Sequence, residues 1–158
     1  MSGIDEKATV AIVTTDAEFR AGLGEILRAE YRALDPGKAG AASQSAVGAT
    51  PDLLLYELDS DARGVQSFLE FVEDLRRNEE DTVVIALSDD QRSQTALRIM
   101  GAGAYDYLLK PINPAVLRVI LERATEKLRM ERENRLLRSL GAAQRQRRRA
   151  ELHTALHL

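Results

Sequence analysis

The stretch "PDLLLYELDS", residues 51–60, joins an unbroken apolar run to an acidic end. The run from Leu53 to Tyr56 is short and is bounded by proline before and by acidic residues after it. This pattern is typical of a strand that is buried on both faces, as the strands of parallel sheets are. The stretch therefore predicts a central strand of a parallel sheet, and it places the carboxylate of Glu57 at the end of that strand.

Similar apolar runs alternate with helical patterns on both sides of this stretch. Strands are predicted over 8–15, 32–36, 52–58, 82–88 and 104–110, and helices over 16–31, 37–50, 64–77, 90–101 and from 113 to 140 or beyond. Asp16 is a plausible N-cap of the first helix. Five strands that alternate with helices predict βαβ units, and hence a doubly wound parallel sheet with helices on both faces.

Composition excludes several classes of protein. The chain has 158 residues, of which 44% are hydrophobic, so it can form one globular domain with a substantial core. It has no cysteine, which excludes disulfides and thiolate zinc sites. No apolar run approaches the roughly 20 residues that span a membrane, and the N-terminus lacks a signal-peptide pattern. We expect a cytoplasmic protein that does not associate with a membrane.

Charge is distributed unevenly along the chain. Residues 1–112 hold 20 Asp and Glu against 11 Lys and Arg, whereas residues 113–158 hold 5 against 11. The result is an acidic body of net charge −9 and a basic tail of net charge +6. A basic helix can contact nucleic acid, but no recognition motif accompanies this one. We expect a solvated face, and nucleic acid is not the expected partner.

The ends of the strands are where chemistry is expected. In open parallel sheets, ligands bind beyond the carboxyl ends of the strands. The polar residues at these positions are Thr14, Thr15, Asp16, Glu57, Asp59, Ser88, Asp89, Asp90 and Lys110.

Three motifs resemble the receiver domain of two-component response regulators. "GAYDYLLKP" (103–111) is similar to the ending of that domain, and "PDLLLYEL" and "VVIALS" fall where its third and fourth strands lie. The resemblance covers about residues 8–125, which we interpret as a receiver-like domain. It implies a flavodoxin-like fold, a five-stranded parallel sheet followed here by an extended C-terminal helix. It also supports a cis peptide bond between Lys110 and Pro111.

The resemblance also assigns roles to individual residues. Glu57 stands at the position of the phosphoacceptor Asp, and Thr14 and Thr15 stand at the acidic pair that holds Mg²⁺. The switch-like positions are Ser88, Tyr107 and Lys110.

These replacements remove the chemistry of the family's site. Aspartyl phosphorylation needs a carboxylate nucleophile and a hard cation held by carboxylates. The threonines are neutral, and Glu57 reaches about 1.5 Å further than Asp, along one more carbon–carbon bond, so it can pair with Lys110 at a partly solvated sheet edge. We predict a pseudo-receiver that is not an enzyme, with no catalytic residue, no cofactor and no metal.

Other interpretations of these residues stay open. The threonines can be ordinary β-branched residues, Glu57 a solvated charge at the strand end, and Tyr107 a half-buried aromatic rather than a moving switch. Asp59 or Asp61 could accept a phosphoryl group, with Asp16, Asp89 and Asp90 as metal ligands. We regard this active site as less favoured, because Asp59 lies two residues past the strand end and the turn from Glu57 to Gly64 is one residue shorter than is usual in the family.

Residues 126–158 are interpreted as a helical linker or coiled-coil extension. The segment "RMERENRLLRSL" resembles the linker of enhancer-binding activators and hybrid signalling proteins. Met130, Asn134 and Leu137 keep the d, a, d spacing of a coiled coil, which predicts a homodimer. A single solvated helix is the alternative.

Two functions follow from the resemblance. The first is a protein interaction and dimerisation module in signal transduction, which binds a signalling partner at the surface of the fourth helix, fifth strand and fifth helix. The second is the N-terminal regulatory domain of a longer transcription regulator or histidine kinase.

Overall fold

The computed structural model describes residues 7–34, 50–59, 61–78 and 81–156. The chain divides into two compact units, Met1–Thr125 and Glu126–Leu158. The elements in chain order are β1 (Thr9–Val13), α1 (Ala17–Leu27), β2 (Arg32–Leu34), β3 (Leu53–Glu57), α2 (Gly64–Arg77), β4 (Val83–Ser88), α3 (Ser93–Ala102), β5 (Asp106–Leu109) and α4 (Pro114–Leu156).

The five strands form one parallel sheet in the order β2-β1-β3-β4-β5. This confirms the flavodoxin-like doubly wound fold. Leu53 to Tyr56 are buried in the central strand β3, as the apolar run predicts. The helix predicted over 37–50 falls largely on residues 35–49, which lie outside the described residues.

One face of the sheet forms a core with α2 and α3. Its members alternate along each strand, as the two-residue period of a strand requires. The buried residues of this core are Ala11, Val13, Leu54, Tyr56, Leu58, Phe68, Phe71, Val72, Leu75, Val84, Ala86, Ile99 and Ala104. The Tyr56 ring contacts the Phe68 ring edge-on, with 5.1 Å between centroids. Burial, followed by the charges of Asp59 and Glu70, raises the pKa of Tyr56 to about 12.

An aspartate whose carboxylate accepts a backbone hydrogen bond precedes both α1 and α3. Asp16 caps α1, because its Oδ1 accepts a hydrogen bond from the Phe19 N–H at 3.1 Å, as predicted. Helix α3 starts at Ser93, so the predicted start at residue 90 is wrong. Asp90 stays outside the helix because its carboxylate accepts hydrogen bonds from the Arg92 N–H at 2.9 Å and the Thr95 hydroxyl at 2.8 Å.

The C-terminal helix α4 has 43 residues and continues through Gly141 to Leu156. The Asn113 side chain caps its start by accepting from the Ala115 N–H at 2.9 Å. Leu117, Leu121 and Ala124 are buried in the first unit. In the second unit the described residues 126–156 form a single helix, which confirms the extended C-terminal helix.

Across the described ranges, no helix combines the length and apolar character that crossing a membrane would require.

Candidate functional site

Thr14, Glu57 and Lys110 come together at the carboxyl edge of the sheet. Glu57 ends the central strand β3, Thr14 follows the neighbouring strand β1, and Lys110 follows β5. The Thr14 hydroxyl donates a hydrogen bond to Glu57 Oε1 at 2.6 Å. The Lys110 ammonium forms an ion pair with Glu57 Oε2. The contact between Glu57 and Lys110 that the sequence predicts is therefore present.

The Glu57 carboxylate is more buried than the sequence suggests. Its side chain is only 9% exposed, and that of Lys110 is 29% exposed. The expectation that the pair is partly solvated is therefore wrong for Glu57, because Thr14 and Lys110 cover its carboxylate. Glu57 Oε2 makes no well-oriented hydrogen bond within the described part of the chain. Its negative charge is balanced instead by direct contact with the ammonium.

Lys110 is held from a second direction by an aromatic ring. Its Nζ lies 4.5 Å from the centroid of the Phe19 ring, in a cation–π arrangement. The Lys110 backbone N–H donates to the Ser88 carbonyl at 2.8 Å, and the Lys110–Pro111 bond is cis, as the resemblance implies. The ammonium thus contacts both a carboxylate and a ring face. These two contacts restrain it more than the ion pair alone would.

The end of β1 is fixed by two further contacts. The Arg20 guanidinium, from α1, donates to the carbonyls of Ile12 at 2.8 Å and Thr14 at 2.7 Å. The Thr14 hydroxyl also accepts a hydrogen bond from the Asp16 N–H at 3.0 Å. Thr14 is buried and oriented toward Glu57, whereas Thr15 is exposed.

Sequence reasoning missed Phe19 and Arg20. The spacing of Phe19 from Leu23 and Ile26 indicates only an apolar face of the first helix, and no signal in the sequence links Phe19 to Lys110, which lies 91 positions later. Arg20 gave one usable signal: it stands one helical turn after the N-cap Asp16, where a long side chain can reach back to the strand end.

Ser88, Tyr107 and Asp90 form a second cluster at the end of β4. The buried Ser88 hydroxyl accepts a hydrogen bond from the Asp90 N–H at 3.0 Å. The hydroxyl of the half-buried Tyr107 donates to the Asp90 carbonyl at 2.6 Å. Burial raises the pKa of Tyr107, and its hydrogen bond with Ser88 offsets part of that rise. Hydrogen bonds from Arg92 and Thr95 hold the pKa of Asp90 well below its usual range.

Four of the five acidic residues of the alternative site line a different feature, an open pocket of about 470 Å³ between the loops that follow β3 and β4, and Asp16 does not line it. Asp59, Asp61, Asp89 and Asp90 line this pocket, together with Arg92 and Arg98. Neither Glu57 nor Lys110 is among its lining residues. The pocket therefore includes Ser88 of the predicted switch-like positions but not Lys110.

The residues at the carboxyl edge do not fit a magnesium ion. Mg²⁺ is bound through carboxylate oxygens and waters in near-ideal octahedral geometry. The cluster of Thr14, Glu57 and Lys110 supplies one carboxylate, and both of its oxygens already contact Thr14 or Lys110. Among the described residues, no group of three or more His, Cys, Asp or Glu could hold a metal ion.

The sequence matches a known family over most of its length. Residues 10–122 match the response regulator receiver domain. The nitrogen assimilation regulatory protein NtrX of Azorhizobium caulinodans is 39% identical over 72 residues, which cover 46% of this chain and 16% of that protein.

Two solved structures are similar to this one. NtrX from Brucella abortus, crystallised in complex with ADP, shares 25% identity at a TM-score of 0.68, over 84% of this chain and 29% of that chain. The receiver domain of a LuxO repressor protein from Vibrio parahaemolyticus shares 18% identity at a TM-score of 0.67, over 79% and 95%; this second likeness shows the fold alone. The chain thus corresponds to less than a third of the NtrX proteins that it matches. It belongs to the response regulator receiver domain family of two-component signalling and is related to the NtrX regulators.

Proposed function

We propose that this chain is a pseudo-receiver, which accepts no phosphoryl group and serves as a protein interaction and dimerisation module in signal transduction. The observation that carries the proposal is the state of Glu57, whose carboxylate is buried and already bound to Thr14 and Lys110. A phosphoacceptor must be free to attack. Here attack would require the carboxylate to leave both partners.

Electrostatics supports the same proposal. Phosphoryl transfer to a carboxylate brings negative charge together, and a receiver offsets that charge with a metal ion held by acids. Thr14 and Thr15 carry no charge to attract such an ion. The positive charge of Lys110 already neutralises Glu57, so this pair leaves no net negative charge that would attract a metal ion.

An active receiver that uses Asp59 or Asp61 is less well supported. Asp59 is exposed in the turn after β3, and the pocket that both residues line has arginines rather than a lysine as its cations. Arg92 is committed to Asp90, with 2.8 Å between Nη2 and Oδ2. Within the described ranges, neither aspartate forms an ion pair of the kind that joins Glu57 to Lys110.

The partner surface that we propose lies on α3, β5 and the first part of α4. It exposes large apolar side chains, from Met100 at 42% to Leu97 at 72% exposure. Exposed apolar side chains that cluster on a surface mark protein interfaces, and we propose that these side chains form one. Its members are Leu97, Met100, Leu109, Val116 and Val119.

The dimerisation surface that we propose lies in the second unit. Met130 and Leu137 are more than half exposed on α4, and Asn134 stands between them at the a position of the heptad. An isolated helix with so many charged residues is marginal in water. Burial of this seam against a second copy would stabilise the helix. Asn134 would then be buried in the dimer and would set the register of the two helices.

A second candidate is a regulatory domain of a longer regulator or histidine kinase. The chain covers only 16% of one NtrX relative and 29% of another, which favours this candidate. The intact mass of the natural protein, measured from its source, decides between the two: a mass well above that of this chain supports the regulatory domain.

The pseudo-receiver proposal predicts that Mg²⁺ does not stabilise the protein. Millimolar Mg²⁺ is expected to leave the melting temperature unchanged, since a ligand stabilises only when it binds the native state. The matched variant Thr14→Asp, Thr15→Asp, Glu57→Asp restores three carboxylates, and Mg²⁺ should raise its melting temperature by at least a few degrees. A metal-dependent rise in the natural sequence would contradict the proposal.

The dimer proposal predicts a mass of two chains by light scattering at tens of micromolar protein. Leu137→Asp is expected to shift the population to single chains, because it places a charge in the apolar seam. Leu152→Asp makes the same change at a 64% exposed position of the same helix, outside the seam, and should leave the mass unchanged. One chain per particle in the unmodified protein would remove the dimer.

A further inference from the structure

The second unit carries a dense run of positive charge on exposed helix. From Arg132 to Arg149 the sequence holds seven arginines, one glutamate and no lysine. All of these residues belong to α4, and every one except the half-buried Gly141 is exposed. At 1.5 Å per residue the run is about 27 Å long, with roughly one net charge per 4.5 Å.

Three of these arginines form a stripe along one side of the helix. Arg145 and Arg149 follow Arg138 by 7 and 11 positions, which places all three within about 40° of arc at 3.6 residues per turn. No Asp or Glu stands three or four positions from any of them, so ion pairs within the helix do not neutralise them. None of the three occupies a position of the Met130, Asn134 and Leu137 seam.

The chemistry of the stripe favours phosphate as its ligand. Guanidinium groups bind phosphate oxygens through two parallel hydrogen bonds, which a lysine ammonium cannot do. Helices that lie on membranes carry large apolar residues along the whole face opposite their basic face. Opposite this stripe only Leu136 and Leu140 are large and apolar, and Arg147 and Glu151 continue the same side, so no apolar face extends along the stripe. Protein interfaces likewise need an apolar centre. Binding to a regular row of phosphates requires only positive charge on long side chains.

We propose that the stripe of Arg138, Arg145 and Arg149 binds the phosphate backbone of double-stranded DNA without sequence selectivity. The major groove of B-DNA admits an α-helix, whereas that of double-stranded RNA is too narrow. The expectation that nucleic acid is not a partner rested on the absence of a recognition motif. Binding driven by the release of counterions from phosphates needs no such motif. This inference does not depend on the proposed pseudo-receiver function.

Fluorescence anisotropy with a labelled duplex of arbitrary sequence, on the order of 20 base pairs, tests the inference across a salt series. The logarithm of the affinity should fall linearly with the logarithm of salt concentration. In the full chain with Arg138→Gln, Arg145→Gln and Arg149→Gln, this negative slope should become shallower by about 2.7, which is about 0.9 per arginine. Between 50 and 200 mM salt, the fold-loss of affinity should therefore be about 40 times smaller for this variant than for the unmodified chain.

The matched control removes the same charge from the first unit, through Arg28→Gln, Arg63→Gln and Arg77→Gln, and should leave the slope unchanged. Replacing the stripe arginines by lysine should keep the slope, because lysine keeps the charge. Glutamine and lysine both favour helix, and circular dichroism verifies that the helix persists. Absence of duplex binding at low salt, an equal loss in the control, or tighter binding to anionic phosphatidylserine vesicles than to DNA would overturn the proposal.

Discussion

Lys110→Met is expected to lower the free energy of unfolding by about 2–4 kcal/mol, because it leaves the Glu57 carboxylate buried without its counter-charge. The Glu57 side chain is 9% exposed and its Oε2 contacts the Lys110 ammonium. Removing one partner of a buried pair costs more than the pair contributes, since the remaining charge keeps its desolvation penalty. The 29% exposure of Lys110 admits some water and places the expected value in the lower part of the usual range.

The double variant Glu57→Gln, Lys110→Met isolates the pair by a double-mutant cycle in urea. It should recover at least about 1 kcal/mol relative to the sum of the single variants, because it removes both charges. Lys127→Met serves as the control, since Lys127 is 53% exposed and its nitrogen lies 3.8 Å from Glu131; its effect should stay within about 0.5 kcal/mol. Equal losses for Lys110→Met and Lys127→Met would contradict the buried-pair account.

Gly64→Ala is expected to destabilise the protein by about 3 kcal/mol, because the new methyl group has no space. A Cβ atom at residue 64 would lie 2.0 Å from the Asp59 carbonyl oxygen and 2.9 Å from its carbonyl carbon. Both are backbone atoms of the short turn that joins β3 to α2, so the turn itself would have to move. The Gly64 N–H also donates to the Asp61 carbonyl at 3.1 Å, which fixes the same turn.

Gly101→Ala is the matched control, with the opposite expected sign. Gly101 lies inside α3, and no heavy atom outside its own helical backbone comes within 4 Å of the position that a methyl group would take. Alanine in a helix is more stable than glycine by about 0.5–1 kcal/mol. Thermal unfolding of the two variants should therefore move in opposite directions, and a stabilised Gly64→Ala would refute the tight turn.

Most of the fold follows from local patterns in the sequence. The apolar run at Leu53–Tyr56 and the amphipathic pattern over 64–77 correspond to β3 and α2, and the alternation of elements led to the correct sheet. The start of α3 was misplaced because the Asp90 carboxylate binds Arg92 and Thr95 instead of entering the helix. Such hydrogen bonds between a side chain and the nearby backbone compete with helical patterns at element ends, where apolar periodicity gives no signal.

The candidate site was only partly predictable. The contact between Glu57 and Lys110 followed from their places at strand ends on the same edge of the sheet, although β4 lies between their strands. The burial of Glu57 did not follow, because it depends on where the Thr14 hydroxyl and the Lys110 side chain come to lie. The Phe19 ring under Lys110 is a contact between α1 and the loop after β5, and side-chain geometry over that sequence distance cannot be read from spacing.

The most direct test of the pseudo-receiver proposal is the intact mass of the protein after incubation with acetyl phosphate and Mg²⁺, with an active receiver domain treated in parallel to verify the reagent. We expect the mass of this chain to stay unchanged, because Glu57 is bound to Thr14 and Lys110, and Thr14 and Thr15 stand where the family has its acidic pair. An added phosphoryl group that disappears in Asp59→Ala or in Glu57→Gln would contradict the account and show that the domain is an active phosphoacceptor.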